Sequence, residues 1–204
     1  AAASIAQVHK ASVREPSGAL KPVAVKVLRP GIEQRFNKDL DSYFFAARMI
    51  ERFHPPSRRL RPQAVVETLA KSVAIEMDLR MEAAAISEMA ENSRNDEGFR
   101  VPNVDWSRSA RRVLTLEWID GVPISDHDTL RAQGHDLKAL GARLMRTFLR
   151  HAMRDGFFHA DLHPGNLFID DQGRIVAVDF GIMGRLGLKE RRFLAEILHG
   201  FITR

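Results

Sequence analysis

The stretch HADLHPGNLFIDDQGRIVAVDFG, residues 159–181, decides how the chain is read. It sets Asp161 and Asn166 in a polar loop, follows them with the apolar runs 167–169 and 175–178, and ends on Asp179, Phe180 and Gly181. Between the runs lies Asp170-Asp171-Gln172-Gly173, a composition that turns a chain. Two short strands joined by such a turn fold back on each other, so the residues flanking the hairpin, Asn166 and Asp179, are expected side by side.

Transfer or cleavage of a phosphoryl group calls for a divalent cation, a grip on the phosphates and a group that positions the nucleophile. Mg²⁺ prefers hard oxygen ligands and takes only one or two carboxylates from a protein, leaving phosphates and water to complete its shell. Asn166 and Asp179 suit that role. The order His159, Asp161, Asn166, then Asp179, Phe180, Gly181 also resembles the H-x-D-x-x-x-x-N and D-F-G pattern of protein kinases. A solvated polar loop could match one motif alone; two motifs linked by a hairpin are much more specific. His159 is expected to brace the loop rather than transfer protons.

Upstream, VAVKVL at 23–28 matches the strand that carries the phosphate-gripping lysine, which makes Lys26 the candidate. A lone lysine in an apolar strand is ordinarily an outward-facing charge, but the kinase arrangement supplies a helix glutamate to hold it. IEMDLRMEAA at 75–84 offers Glu76, Asp78 and Glu82. On one helix Glu76 and Asp78 point to different sides, whereas Asp78 and Glu82 share a face; solvated helix charges are the competing reading.

The rest of the chain limits the alternatives. Its 204 residues suffice for one domain or a compact pair of lobes with a buried core. The absence of cysteine excludes disulfide and thiol chemistry. A net charge of +5, with clusters at 58–61, 108–112 and 191–192, reads first as a solvated basic face and second as a surface for anionic lipid headgroups. Nucleic acid is not expected as a partner, because no recognition motif or aromatic interleaving accompanies the charge. No apolar run approaches the roughly 20 residues of a membrane span.

Strands are expected at 5–12, 23–28, 101–104 and 112–118, and helices at 32–53, 62–92 and 137–155, the last ended by Gly156. Strands concentrated early and helices late suggest an α+β, two-lobed arrangement. The expected division is an N-lobe over 1–118 and a C-lobe over 119–204.

Together these residues resemble the UbiB/AarF atypical kinase-like proteins linked to ubiquinone biosynthesis. The resemblance spans essentially the whole chain and is carried by AAAS at 1–4 followed by IAQVHKA, by VAVKV and RPGI at 23–32, by the acidic motif at 76–83, and by HADLHPGN with VDFG. Ordinary protein kinases have a glycine-rich loop where this family has alanines. The resemblance implies a kinase-like fold with helices inserted in the N-lobe, and ATP and Mg²⁺ as cofactors. It implies that Ala1, Ala2, Ala3 and Ser4 line the nucleotide loop, that Lys26 pairs with Glu82, and that Glu76 and Asp78 form the family's acidic motif. Asp161 would be the catalytic-loop carboxylate, with Asn166 and Asp179 holding metal. Glu117, at the end of the hinge strand, joins the nucleotide-site candidates. The family's Lys- and Gln-bearing motif would precede Ala1, and the membrane-spanning segments of many bacterial members would follow Arg204.

Departures from ordinary kinases shape the expected chemistry. Alanines disfavour positive φ, so the nucleotide loop should be stiffer than a glycine loop. Ala160 stands where kinases carry the arginine that receives an activation-loop phosphate. The residues after Gly181 run almost directly into a helical pattern, leaving no platform for a protein substrate. The expected acceptor is a small or lipid-like molecule, polyprenyl phenol intermediates among them, or ATP turnover itself. Expected partners are an anionic membrane surface, at the cytoplasmic face of a bacterial inner membrane, and other ubiquinone-synthesis proteins. Two alternatives are a small-molecule kinase of the aminoglycoside or choline kinase type and a nucleotide-gated lipid-binding scaffold without phosphotransfer.

Overall fold

The computed structural model describes residues 5–203. The alanine-rich segment Ala1, Ala2, Ala3 and Ser4 therefore lies outside the described residues. Strands β1 (Ala6–Arg14), β2 (Leu20–Leu28) and β4 (Val113–Glu117) form an antiparallel sheet in the order β1-β2-β4. β2 is central, and its register places Lys26 opposite Val8 on one side and Leu114 on the other. Lys26 and Leu28, two apart on β2, share the face turned to the buried core, so the lysine is carried inward by the pleat rather than outward.

From β2 the chain turns at Gly31, whose φ of 71° is the left-handed conformation that glycine adopts without a Cβ penalty. It then enters α1 (Ile32–Phe53), which ends where Pro55 and Pro56 open a short 3₁₀ segment. The helix expected over 62–92 is two helices, α2 (Pro62–Glu76) and α3 (Leu79–Asn92). The break has a clear cause: the Asp78 carboxylate accepts from the Arg80 backbone N–H and caps α3. The Leu79 N–H leaves the helical pattern to donate to Arg111 O at 2.9 Å. Asp78 is thus a capping residue in extended backbone, not a member of one continuous helical face with Glu82.

A second sheet has the order β3-β8-β7-β5, built from β3 (Phe99–Arg100), β5 (Val122–Pro123), β7 (Leu167–Ile169) and β8 (Ile175–Ala177). β3 runs parallel to β8, and β7 and β8 form the antiparallel hairpin read in the sequence. The strand expected at 101–104 is only an isolated bridge from Val104 to Leu116. A two-stranded ribbon pairs β6 (Phe157–His159) with β9 (Met183–Arg185). Between β5 and β6 lie α4 (His127–Ala132) and α5 (Leu137–Arg150), and α6 (Leu188–Ile202) follows β9. The helix expected to reach Asp155 changes at His151–Asp155 into a single π-type turn, and Gly156 at φ 66° ends it.

Leu79, Ala83, Ile86 and Met89 on α3, Leu28 and Leu114 from the first sheet, and Leu167, Ile169, Ile175 and Phe180 beyond it form one buried apolar cluster. This continuous core fixes α3 against both sheets, and α3 carries Glu82. No helix of the described residues is long and apolar enough to cross a membrane.

Candidate active site

Lys26 Nζ lies 2.9 Å from Glu82 Oε1 and 2.8 Å from Asp179 Oδ1. Lys26 and Glu82 are buried, while Asp179 is half exposed. Burial alone would push the lysine toward neutrality; the two carboxylates outweigh it and raise its pKa, so the ammonium stays charged. Burial raises the pKa of Glu82, and Lys26 acts against that by favouring the carboxylate. The structure therefore brings together the expected lysine, its helix glutamate and the aspartate of Asp-Phe-Gly.

The hairpin aligns the two motifs through the backbone as well. Val178 N–H donates to Asn166 O at 2.8 Å, the hydrogen bond that follows the last β7–β8 pair. Asp179 then takes φ 62°, a left-handed conformation unusual for a residue with a side chain and typical of strained functional positions. His159 is buried: its Nδ1 accepts from the Asp161 N–H at 3.1 Å, which leaves Nε2 as the donor to Val178 O at 3.2 Å. Its ring meets Phe180 edge-on, with centroids 5.0 Å apart. His159 thus ties both motifs together and has no free nitrogen for proton transfer.

Asn166 Nδ2 donates to Asp161 O at 3.1 Å and Oδ2 at 3.2 Å, which leaves Oδ1 as its oxygen donor for a cation. Asp161, Asn166 and Asp179 thus offer hard oxygens and no soft ligand, a donor set that fits Mg²⁺. Among the described residues no group of three or more His, Asp and Glu side chains forms an all-protein metal site. Mg²⁺ sites completed by substrate phosphates do not require one.

A cleft of about 660 Å³ is lined by Lys26, Glu76, Asp78, Glu82, Asp161 and Asp179 together with apolar residues. Glu76 ends α2 and Asp78 precedes α3, so the helix break sets both at the rim of the cleft. Asp78 is also gripped by the Arg80 guanidinium at 2.6 Å, and this hydrogen bond holds its carboxyl below the usual range. Glu117 does not line the cleft. Its carboxylate accepts from Arg100 at 2.9 Å and from the Asn103 side chain at 3.0 Å, bracing the end of β4.

Sequence reasoning missed two features around this site. Arg185, on β9 just past Asp-Phe-Gly, makes a two-pronged ion pair with Glu88 of α3. Asp96, beyond the end of α3, is buried among Arg150, His151 and Arg154. Neither has a local motif, since their partners lie far away in the chain.

A lysine-bearing antiparallel sheet, a helix glutamate that holds the lysine and a catalytic-type loop joined to Asp-Phe-Gly by a hairpin define a kinase-like fold. Residues 1–204 match the model of the ABC1 atypical kinase-like domain, and the chain belongs to that family. It is 41% identical over 203 residues to a protein of Xanthomonas euvesicatoria pv. vesicatoria named probable protein kinase UbiB, covering 96% of this chain and 36% of the relative. A relative of the same name from Marinobacter nauticus is 38% identical over 208 residues, covering 100% of this chain and 37% of its own length. The chain thus spans little more than a third of these relatives. Among solved structures, the complex of Rv3197 with erythromycin from Mycobacterium tuberculosis superposes with a TM-score of 0.68 at 31% identity, covering 91% of this chain and 45% of that one.

Proposed function

We propose that this chain is the nucleotide-binding core of an ATP-dependent atypical kinase or ATPase that supports ubiquinone synthesis. Its acceptor in this reading is a small or lipid-like molecule, or water, rather than a protein. The observation that carries the proposal is Lys26 held between Glu82 and Asp179 on the wall of a cleft that also contains Asp161. The parts before and after Trp118 act as two lobes, the first supplying Lys26 and Glu82 and the second Asp161, Asn166 and Asp179.

In this mechanism Lys26 donates to the phosphate oxygens, and Glu82 fixes the direction of its ammonium group. Asp161 accepts the proton of the attacking hydroxyl or water, while His159 and Asn166 hold the loop that presents it. Asn166 and Asp179 would hold Mg²⁺, which when bound neutralises charge on the transferring phosphate. Glu76 and Asp78 border the nucleotide in this reading.

The short path from Gly181 to the start of α6 at Leu188 supports a non-protein acceptor, because it contains only β9 and the turn to the helix. The basic clusters suit an anionic membrane at the cytoplasmic face, where polyprenyl phenol intermediates and partner proteins of the pathway would be met. The test is Mg²⁺-dependent ATP turnover by the full-length polypeptide, with and without anionic vesicles. Asp161→Asn and Asp179→Asn should each reduce turnover about a hundredfold or more. Unchanged turnover in both variants would overturn the assignment.

The solved relative in complex with erythromycin favours one further reading, a nucleotide-gated module that binds small molecules without phosphorylating them. ATP hydrolysis coupled to lipid binding with no phosphorylated product would select it. Phosphorylation of an aminoglycoside or choline would select the small-molecule kinase instead.

A further inference from the structure

We infer that Asp96 is a positioning residue for the cleft, acting through α3 to hold Glu82, and with it Lys26, in register with the catalytic loop. The inference rests on the proposed ATP chemistry. Asp96 is buried and accepts four hydrogen bonds: from Arg150 at 3.1 Å, His151 at 2.9 Å and both terminal nitrogens of Arg154 at 2.7 and 3.0 Å. Arg154 also donates to the carbonyl of Asn92, the last residue of α3, at 2.8 Å. One guanidinium thereby caps the C-terminal end of the helix and grips the carboxylate just beyond it.

Three chain segments leave this node, and each leads to a residue of the cleft. α3 leads back to Glu82. The π-type turn bearing His151 and Arg154 passes through Gly156 into β6, which ends at His159 two residues before Asp161. Phe99, whose ring meets His151 edge-on, begins β3, which pairs with β8 on the path to Asp179. A single carboxylate thus sets the phosphate grip, the proton acceptor and the metal-ligand candidate relative to one another.

The choice of a charged node is informative. Apolar packing would hold α3 against α5 equally well, because the net gain from burying ion pairs is small. Charge-assisted hydrogen bonds have fixed directions, so they set the position of the helix end in a way that an oily seam does not. In kinases that respond to phosphorylation, activation-loop phosphate and the placement of this helix control the lysine–glutamate pair. Here Ala160 removes the usual phosphate receiver, and the Asp96 node supplies a permanent restraint.

The test is Asp96→Asn in the full-length polypeptide, assayed well below its melting temperature. The expected result is a loss of about ten- to a hundredfold in kcat/KM for ATP, the size of effect that follows a small displacement of a positioned group. Amides of α3 should exchange faster while those of the first sheet do not. In a Glu82→Gln background the same substitution should add little further loss, because both changes act through one pair. Losses that add in full, with exchange raised evenly across the molecule, would overturn the inference and leave Asp96 as a stability group. If the wild-type protein neither binds nor turns over ATP, the proposed function fails, and the exchange pattern at α3 alone decides whether Asp96 positions the helix. Should Asp96→Asn not fold, Arg150→Gln removes one partner and should give the same pattern with smaller amplitude; an even rise in exchange would again overturn the inference.

Discussion

At the scale of single residues, the pairing of Lys26 with Glu82 sets both chemistry and stability. Removing one member of a buried pair leaves the other charge without a partner, which costs about 3–5 kcal/mol. Lys26→Met should therefore destabilise the fold by that order at neutral pH and abolish nucleotide binding. The pH dependence has a definite sign. Burial raises the pKa of Glu82 above its unfolded value, so without Lys26 the folded state is favoured when Glu82 is protonated and penalised as pH rises through that value. Urea titrations at pH 5 and pH 7 should show the gap between Lys26→Met and wild type narrowing at the lower pH. A gap independent of pH would mean that Glu82 is not left buried and charged in the variant.

At the scale of elements, the break between α2 and α3 was hidden by its own periodicity. Apolar residues recur at helical spacing on each side of it, Val73 to Met77 and Leu79 to Ala83 and Ile86, so the pattern reads as one helix while Asp78 quietly supplies a cap. Two roles for Asp78 are separable by substitution. Asp78→Ala should cost about 1 kcal/mol of stability through the lost cap, whereas Asp78→Asn keeps a capping oxygen and should cost only a few tenths. Denaturant midpoints for the two variants check this, and a nucleotide-affinity change shared by both would assign the carboxylate to the cleft. Other elements were legible because their signals are local. The β7–β8 hairpin has turn residues between apolar runs, and α1 begins after Gly31 and ends before a proline pair. β6 and β9 were not legible: each spans only three residues and exists through pairing with the other. The same distinction separates Lys26 and Asp161, which lie in contiguous motifs, from Asp96, whose importance appears only when distant arginines converge on it.

At the scale of the whole molecule, the Asp96 node joins segments from both sides of the cleft, so its titration should govern how the fold fails in acid. Burial works against the Asp96 carboxylate, but hydrogen bonds from Arg154, His151 and Arg150 prevail and lower its pKa from 3.8 to about 2. A depressed folded pKa gives stability that is complete above the unfolded value and is lost as pH falls through the folded one. The window here is pH 4 to 2, and the contribution is about 2 kcal/mol. His151 acts earlier in the same direction, since burial lowers its pKa below 6.5 and the folded state favours the neutral ring. Acidification should therefore weaken the protein first as His151 resists protonation and then more steeply below pH 4. Asp96→Asn should lower stability at neutral pH and flatten the steep segment, because its amide does not titrate. Calorimetric melting temperatures from pH 7 to 2.5 for wild type and variant test this directly. An unchanged slope below pH 4 would place the acid-sensitive contacts elsewhere, with the Asp170 carboxylate between Arg100 and Arg174 as the next group to substitute.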